Sequence, residues 1–222
     1  MDAVHCGKEG CGYELKLGSK RFFKKMYHQN TQNYYVMLKQ VYRRLDEACL
    51  GIVYPLEFCD DGVIYEHNTR YLSSQYHGDQ IAASTGTPGI DDMTLLSMFR
   101  FGIESIAPCV ARQGLVFFDV TPQHMVLQDG GDEPFQMYDV GLWRCREWYH
   151  STVQEATKQN QHIIREAFQH LLDEQHVGSP MINQFLQTVP AIQWDQSDCC
   201  WWGGQQDPWA WMWSKFEPEM PI

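Results

Sequence analysis

Along residues 13–27, YELKLGSKRFFKKMY, apolar and polar side chains alternate on both sides of Gly18-Ser19. Alternation around a turn-forming pair predicts a β-hairpin. The period then changes. In residues 31–48, Tyr34, Leu38, Val41 and Leu45 recur at helical spacing, with Thr31 as the expected cap. Alternation returns in residues 52–58 and 62–67, two strands expected around the turn Asp60-Asp61-Gly62. The first 68 residues therefore predict a small antiparallel sheet with one inserted helix. Residues 69–90 have weak periodicity and many small polar side chains, as a connection between two lobes would.

Beyond residue 90 the helical period dominates. Asp91 or Asp92 can cap a helix with apolar positions at Leu95, Phe99, Ile103, Ile106 and Val110. Pro108 should kink its last turns and Gly114 end it. LVFF, residues 115–118, predicts a strand, but FFDVTPQHMVL, residues 117–127, breaks the pattern. Pro122 has no N–H for an interior ladder, and a helix does not start naturally from β-favouring residues that then meet a proline. QDGGDEP makes a turn and FQMYDVG a short strand. Residues 151–178 predict a long helix with a Ser151…Gln154 capping box and Gly178 at its end. The expected fold class is α+β.

Composition narrows the function. At 44% hydrophobic the chain can build a core and is too apolar for disorder. The net charge of −11 is spread without a basic block, which argues against phosphate-backbone binding and hence against nucleic acid. The first 30 residues lack an apolar signal-peptide core, and no run reaches the roughly 18 consecutive apolar residues of a membrane span. Cytoplasmic residence, or delivery as an effector without a classical signal peptide, is expected. The eight cysteines are scattered, so reduced and mostly buried thiols are expected. His5, Cys6 and Cys11 lack the second half of a zinc site.

The chemistry-bearing residues are few. Asp119 and Asp139 each end a short apolar strand, twenty residues apart with a turn between, which puts both carboxylates at one mouth of a sheet. One such carboxylate can orient or deprotonate a nucleophile while the other holds a hard divalent cation. Lys24, late in the hairpin's second strand, could reach phosphate oxygens, with Lys25 the candidate if the register shifts by one. Gly7 and Gly12 flank a segment where backbone N–H groups could approach an anion.

Together these residues resemble the protein-kinase-like superfamily. DVTPQHMVL is similar to the catalytic loop D-x-K-P-x-N and its following strand, YDVG to the metal-binding D-F-G, FFKKMY to the third-strand lysine motif, and GKEGCGYEL, residues 7–15, loosely to the Gly-rich loop. The small atypical bacterial kinases, of the YrbL type and the lipopolysaccharide-core type, are the nearest comparison. The resemblance implies a minimal bilobal fold, with an N-lobe over residues 1–68 and a mainly helical C-lobe over 69–222. It implies an ATP-dependent phosphotransferase using Mg²⁺ or Mn²⁺. Asp119 and Lys24 would be catalytic, and Gly7, Gly12, Lys24, Glu66 and Asn68 would contact nucleotide. Asp139 and His124 would hold metal, and the acceptor would be a protein hydroxyl, small molecule or sugar. His124 stands where the family has asparagine, and no glutamate sits mid-helix in 31–48, so a catalytically impaired pseudokinase is the alternative. Six tryptophans between positions 194 and 213 suggest a strap over the second lobe, or a partner surface over Trp201–Trp213 that would make the chain a non-enzymatic binding protein.

Overall fold

The computed structural model describes residues 3–6, 10–45, 49–66, 91–117, 120, 125–128, 133–138, 144–145, 152–175 and 180–189. The chain divides into two compact units, Met1–Pro190 and Ala191–Ile222, and all of these residues lie in the first. They form an α+β architecture. Strands β1 (Ala3–Cys6), β2 (Gly10–Leu17), β3 (Lys20–Tyr27), β4 (Glu57–Phe58) and β5 (Gly62–Glu66) make one antiparallel sheet in the order β1-β2-β3-β5-β4. Helix α1 (Gln32–Leu45) is inserted between β3 and β4.

The β2–β3 hairpin turns at Gly18-Ser19 as the alternation predicts. Leu17 pairs with Lys20, and Gly18 takes the left-handed φ of 62° that glycine adopts without penalty. Period two on β3 places Phe23, Lys25 and Tyr27 on one face and Phe22, Lys24 and Met26 on the other. The first face receives α1: Tyr27 stacks on Tyr35 at 5.3 Å between ring centroids. Tyr35 donates its hydroxyl to the carbonyls of Cys59 and of Gly62, the latter at 2.6 Å, and Tyr42 donates to that of Val53 at 2.7 Å. Thr31 does not cap α1 in the expected way. It closes a 3₁₀ turn, Gln29–Thr31, and its hydroxyl donates to the His28 carbonyl.

The strand expected over residues 52–58 shortens to β4, because the chain before it pairs elsewhere. Val53 N–H donates to Met137 O at 2.9 Å and Met137 N–H to Gly51 O at 2.8 Å, in a parallel bridge to strand β8 (Phe135–Met137). Gly51 (φ 79°) is needed there, since a Cβ would fall 2.5 Å from Ile106.

Helix α2 (Asp92–Arg100) starts at Asp91, whose carboxylate accepts from Thr94 N–H and Thr94 O–H, both at 2.9 Å. It runs into a π-helical stretch, Phe101–Ile106, and then α3 (Ala107–Arg112). Pro108 explains the change of winding. It lacks an N–H, and its ring crowds the carbonyl four residues back; Ala107 N–H bonds to Gly102 O, five back. Gly114 (φ 77°) lies just past the helix end. Asp92–Arg112 is long and apolar enough to cross a membrane by length and composition. Its Leu95, Met98, Phe99, Ile106 and Val110 nevertheless lie in the core, with Phe99 against Phe168 and Phe185.

Four short strands follow: β6 (Leu115–Val116), β7 (Met125–Leu127), β8, and β9 (Arg144–Cys145). β6 pairs with β9 and β7 with β8, both antiparallel. Helix α4 (Val153–Gln175) opens on a capping box one residue later than expected. Glu155 N–H donates to the Thr152 hydroxyl at 3.2 Å, and Thr152 N–H to the Glu155 carboxylate at 2.7 Å. Both registers fit the pattern, and the carboxylate makes the stronger bond, so Thr152…Glu155 displaces Ser151…Gln154. Helix α5 (Pro180–Thr188) was not anticipated. Buried residues from both sides of residue 68 form one hydrophobic cluster, from Tyr27 and Val63 to Phe168 and Leu186.

The expectation of reduced cysteines is corrected. Cys6 is bonded to Cys11, and Cys49 to Cys109, sixty residues apart; Cys59 is free. The thiols considered for zinc beside His5 are thus occupied by each other. Spacing could not reveal these pairs, because β1–β2 pairing and the packing of α3 bring the partners together.

Candidate functional site

The two ladders define where the carboxylate-bearing segments begin and end. The chain carrying Asp119 and His124 runs from β6 to β7, and the chain carrying Asp139 runs from β8 to β9. Since β6 pairs with β9 and β7 with β8, both segments connect the same two ladders. Asp119, His124 and Asp139 themselves lie outside the described residues, as do Gly7, Asn68 and Trp201–Trp213.

What anchors those segments is described. Asn160 of α4 is fully buried, 0% exposed. Its side-chain oxygen accepts from Phe117 N–H at 2.7 Å, and its amide donates to the carbonyls of Ala107 (3.2 Å) and Leu115 (3.3 Å). One side chain therefore ties the end of β6, two residues before Asp119, to the start of α3. At the other ladder, Glu133 accepts from Gly51 N–H at 3.0 Å and from the Gln136 side chain at 3.1 Å. Tyr138, immediately before Asp139, packs edge-on against Tyr65 and donates its hydroxyl to the Glu66 carbonyl at 3.2 Å. Glu66, an expected nucleotide contact, thus adjoins the strand that leads to Asp139, and its carbonyl already has a partner.

Lys24 has a different setting. Its ammonium meets Asp61 Oδ1 at 2.8 Å, on the face of β3 away from α1. The hydrogen bond that Lys24 donates to Asp61 raises the lysine's pKa against the opposing effect of burial, with the charge of Asp61 and then Cys59 and Glu57 adding to the rise. The same bond holds the Asp61 carboxyl below its ordinary value. No acidic residue occurs on α1, so the carboxylate that Lys24 finds comes from the β4–β5 turn. Lys25, on the α1 face, sets its ammonium 5.2 Å from the Tyr27 ring centroid. Gly12 lies within β2 rather than in a loop, paired with Lys25, and a Cβ there would fall 2.5 Å from the Phe23 ring.

The structure thus brings Glu66 beside the β8 end and ties the β6 end to α4, while Lys24 is engaged on the outer face of the sheet. Among the described residues no group of three or more His, Cys, Asp or Glu could hold a metal ion. The sequence reading missed Asp61, which it took only as a turn residue, and Asn160. The signal for Asn160 was present: it is an amide at a core position of a helical stripe, between Ala156 and Ile164. No family model matches the chain, and no characterised protein matches it in sequence.

Proposed function

We propose that this chain is an atypical kinase-like phosphotransferase that uses ATP and a divalent metal, with a protein hydroxyl, small molecule or sugar as acceptor. The observation that carries the reading is the pair of ladders: the segments bearing Asp119 and Asp139 connect the same two ladders. Two carboxylates so bracketed suit a division of labour, Asp119 orienting the acceptor hydroxyl and Asp139 holding Mg²⁺ or Mn²⁺, with His124 favouring Mn²⁺. Further support comes from the order of elements: a lysine-bearing third strand, an inserted helix, two strands that return to the same sheet, and a long helix leading to β6. Gly7, Gly12 and Asn68, with the backbone of Glu66, belong to the nucleotide side of this reading.

Two lysines compete for the phosphate. Lys24 is held by Asp61 on the outer face, whereas Lys25 lies on the face that α1 covers. The reading therefore takes Lys25 as the phosphate partner if the site is active, in place of Lys24. The absence of any carboxylate on α1 favours the second reading, a pseudokinase that binds nucleotide without turnover. Two disulfides suit a chain that meets an oxidising compartment, which favours the delivered-effector alternative over cytoplasmic residence.

Transfer of the γ-phosphoryl group to an added acceptor library, or to water, tests the proposal. Asp119→Ala should abolish transfer and keep nucleotide binding, and Lys25→Ala should reduce transfer far more than Lys24→Ala. Binding without transfer in the unaltered chain would select the pseudokinase. Neither binding nor transfer would reject both readings and leave the tryptophan-rich segment as the place to look.

A further inference from the structure

We propose that the Cys6–Cys11 disulfide is a redox-responsive clasp that holds the edge strand β1 onto β2. The proposal goes beyond the phosphotransferase reading and stands on these two strands alone. In the sheet order β1-β2-β3-β5-β4, β1 lies at one end, with β2 as its only neighbour among the described residues. It is four residues long, and its pairing with β2 shifts register between Ala3 and His5. So short and irregular a ladder holds weakly by hydrogen bonds alone. The disulfide joins Cys6 and Cys11, which are direct partners in that ladder with Cα atoms 4.1 Å apart. It thus fixes the one regular end of the pairing.

The two disulfides differ in access. Thiol–disulfide exchange requires a thiolate to reach a sulfur. Cys6 is exposed and Cys11 half-buried, and neither belongs to the hydrophobic cluster. Cys49, by contrast, is 1% exposed and within the cluster, and its partner Cys109 is half-buried and packed against that cluster, so Cys6 is the most exposed of the four. A dithiol reductant therefore reaches Cys6–Cys11 first. One of its thiolates attacks Cys6 Sγ, the Sγ–Sγ bond breaks, and Cys11 leaves as a thiolate that takes up a proton. The reductant's second thiol then displaces Cys6 as a thiol and closes the reductant's own disulfide. Two electrons and two protons pass from the dithiol to the pair. β1 then separates from β2, and among the described residues no other strand pairs with that edge of β2.

The test equilibrates the oxidised full chain with graded mixtures of reduced and oxidised dithiothreitol. Alkylation with peptide mass mapping reads each cysteine, and hydrogen exchange reads each backbone amide. Cys6 and Cys11 should become alkylated at a ratio of reduced to oxidised reagent at least about tenfold lower than Cys49 and Cys109 require. At that ratio the amides of residues 3–6 should exchange at least about tenfold faster while α2 and α4 are unchanged. Cys6→Ser combined with Cys11→Ser should reproduce the fast exchange without reductant. Because the reduced natural chain carries the same readout, the test survives if that variant folds poorly. Reduction of both pairs at the same ratio, or unchanged exchange in residues 3–6 after reduction, would overturn the proposal.

Discussion

Phe117 and Lys24 both flank candidate chemistry, and they are held in opposite ways. Phe117 N–H is fixed by a fully buried amide that also binds the carbonyls of Ala107 and Leu115. Lys24 is fixed by Asp61, a turn carboxylate whose side chain is 48% exposed. A buried amide with three backbone partners cannot be lost without stranding polar groups in a medium that gives nothing back. An ion pair at a solvated turn exchanges one set of partners for water at little cost. The β6 end of the site is therefore built as rigid scaffold. The Lys24 side, by contrast, can be rearranged at little cost.

The comparison can be broken from several sides. The largest effect should come from the covalent tie in the scaffold. Cys49→Ala combined with Cys109→Ala opens a sixty-residue loop and should cost roughly 4 kcal/mol by the loop-closure relation, read as a fall in denaturation midpoint relative to the oxidised chain. Next is Asn160→Leu, which keeps the volume and removes all three bonds. A loss of about 2–3 kcal/mol is expected, with faster hydrogen exchange at Val116 and Phe117. A loss below about 0.5 kcal/mol, the range of ordinary surface substitutions, would show that Asn160 is not the anchor described here. Tyr35→Phe removes the phenol bonded to Cys59 and Gly62 and should cost about 1–2 kcal/mol. In the unaltered chain burial pushes that phenol up to about 12, with Cys59 and Asp61 nearby adding to the rise. Ultraviolet titration should therefore show a late-ionising phenol that Tyr35→Phe removes.

The smallest effect should be at the ion pair. Asp61→Asn should cost under about 1 kcal/mol in low salt and less in high salt. The pH dependence carries a definite sign. The depressed Asp61 carboxyl contributes stability above its ordinary value of 3.8 and loses it as pH falls through the folded value below that. The raised Lys24 ammonium contributes below its ordinary value of 10.5 and loses it as pH rises through the higher folded value. The difference between the natural chain and Asp61→Asn should thus be flat across neutral pH and close at both extremes. A cost several-fold larger, or a difference that does not shrink with acidification below the ordinary carboxyl value, would put Asp61 in the scaffold rather than at a movable edge.

The elements that were legible in the sequence depend on local rules. Gly18-Ser19 fixes its hairpin, Asp91 caps α2, and the spacing of Leu95, Phe99, Ile103, Ile106 and Val110 marks the buried side of the helices, because each signal lies within a few residues of its effect. Partly legible features were those where two local solutions compete, as with Ser151…Gln154 against Thr152…Glu155. What could not be read required long-range pairing. Residues 52–53 look like the start of a strand of the first sheet until Met137 claims them, and Cys49 has no local signal pointing to Cys109. Lys24 shows the same limit at the site. Its strand was read correctly, but a one-residue choice between faces decides whether a lysine meets Asp61 or the α1 side, and motif matching does not see faces.

The central proposal is that the segments joining the two ladders form a metal-dependent nucleotide site. Thermal denaturation of the full chain with ATP alone, ATP plus Mg²⁺ and ATP plus Mn²⁺, beside Asp139→Ala, tests it most directly. At about a hundred times the dissociation constant, nucleotide should add ~2.7 kcal/mol. The account predicts a rise in midpoint that needs the metal, is larger with Mn²⁺, and vanishes in Asp139→Ala. A midpoint unmoved by nucleotide with either metal, or a rise that Asp139→Ala leaves intact, would contradict it.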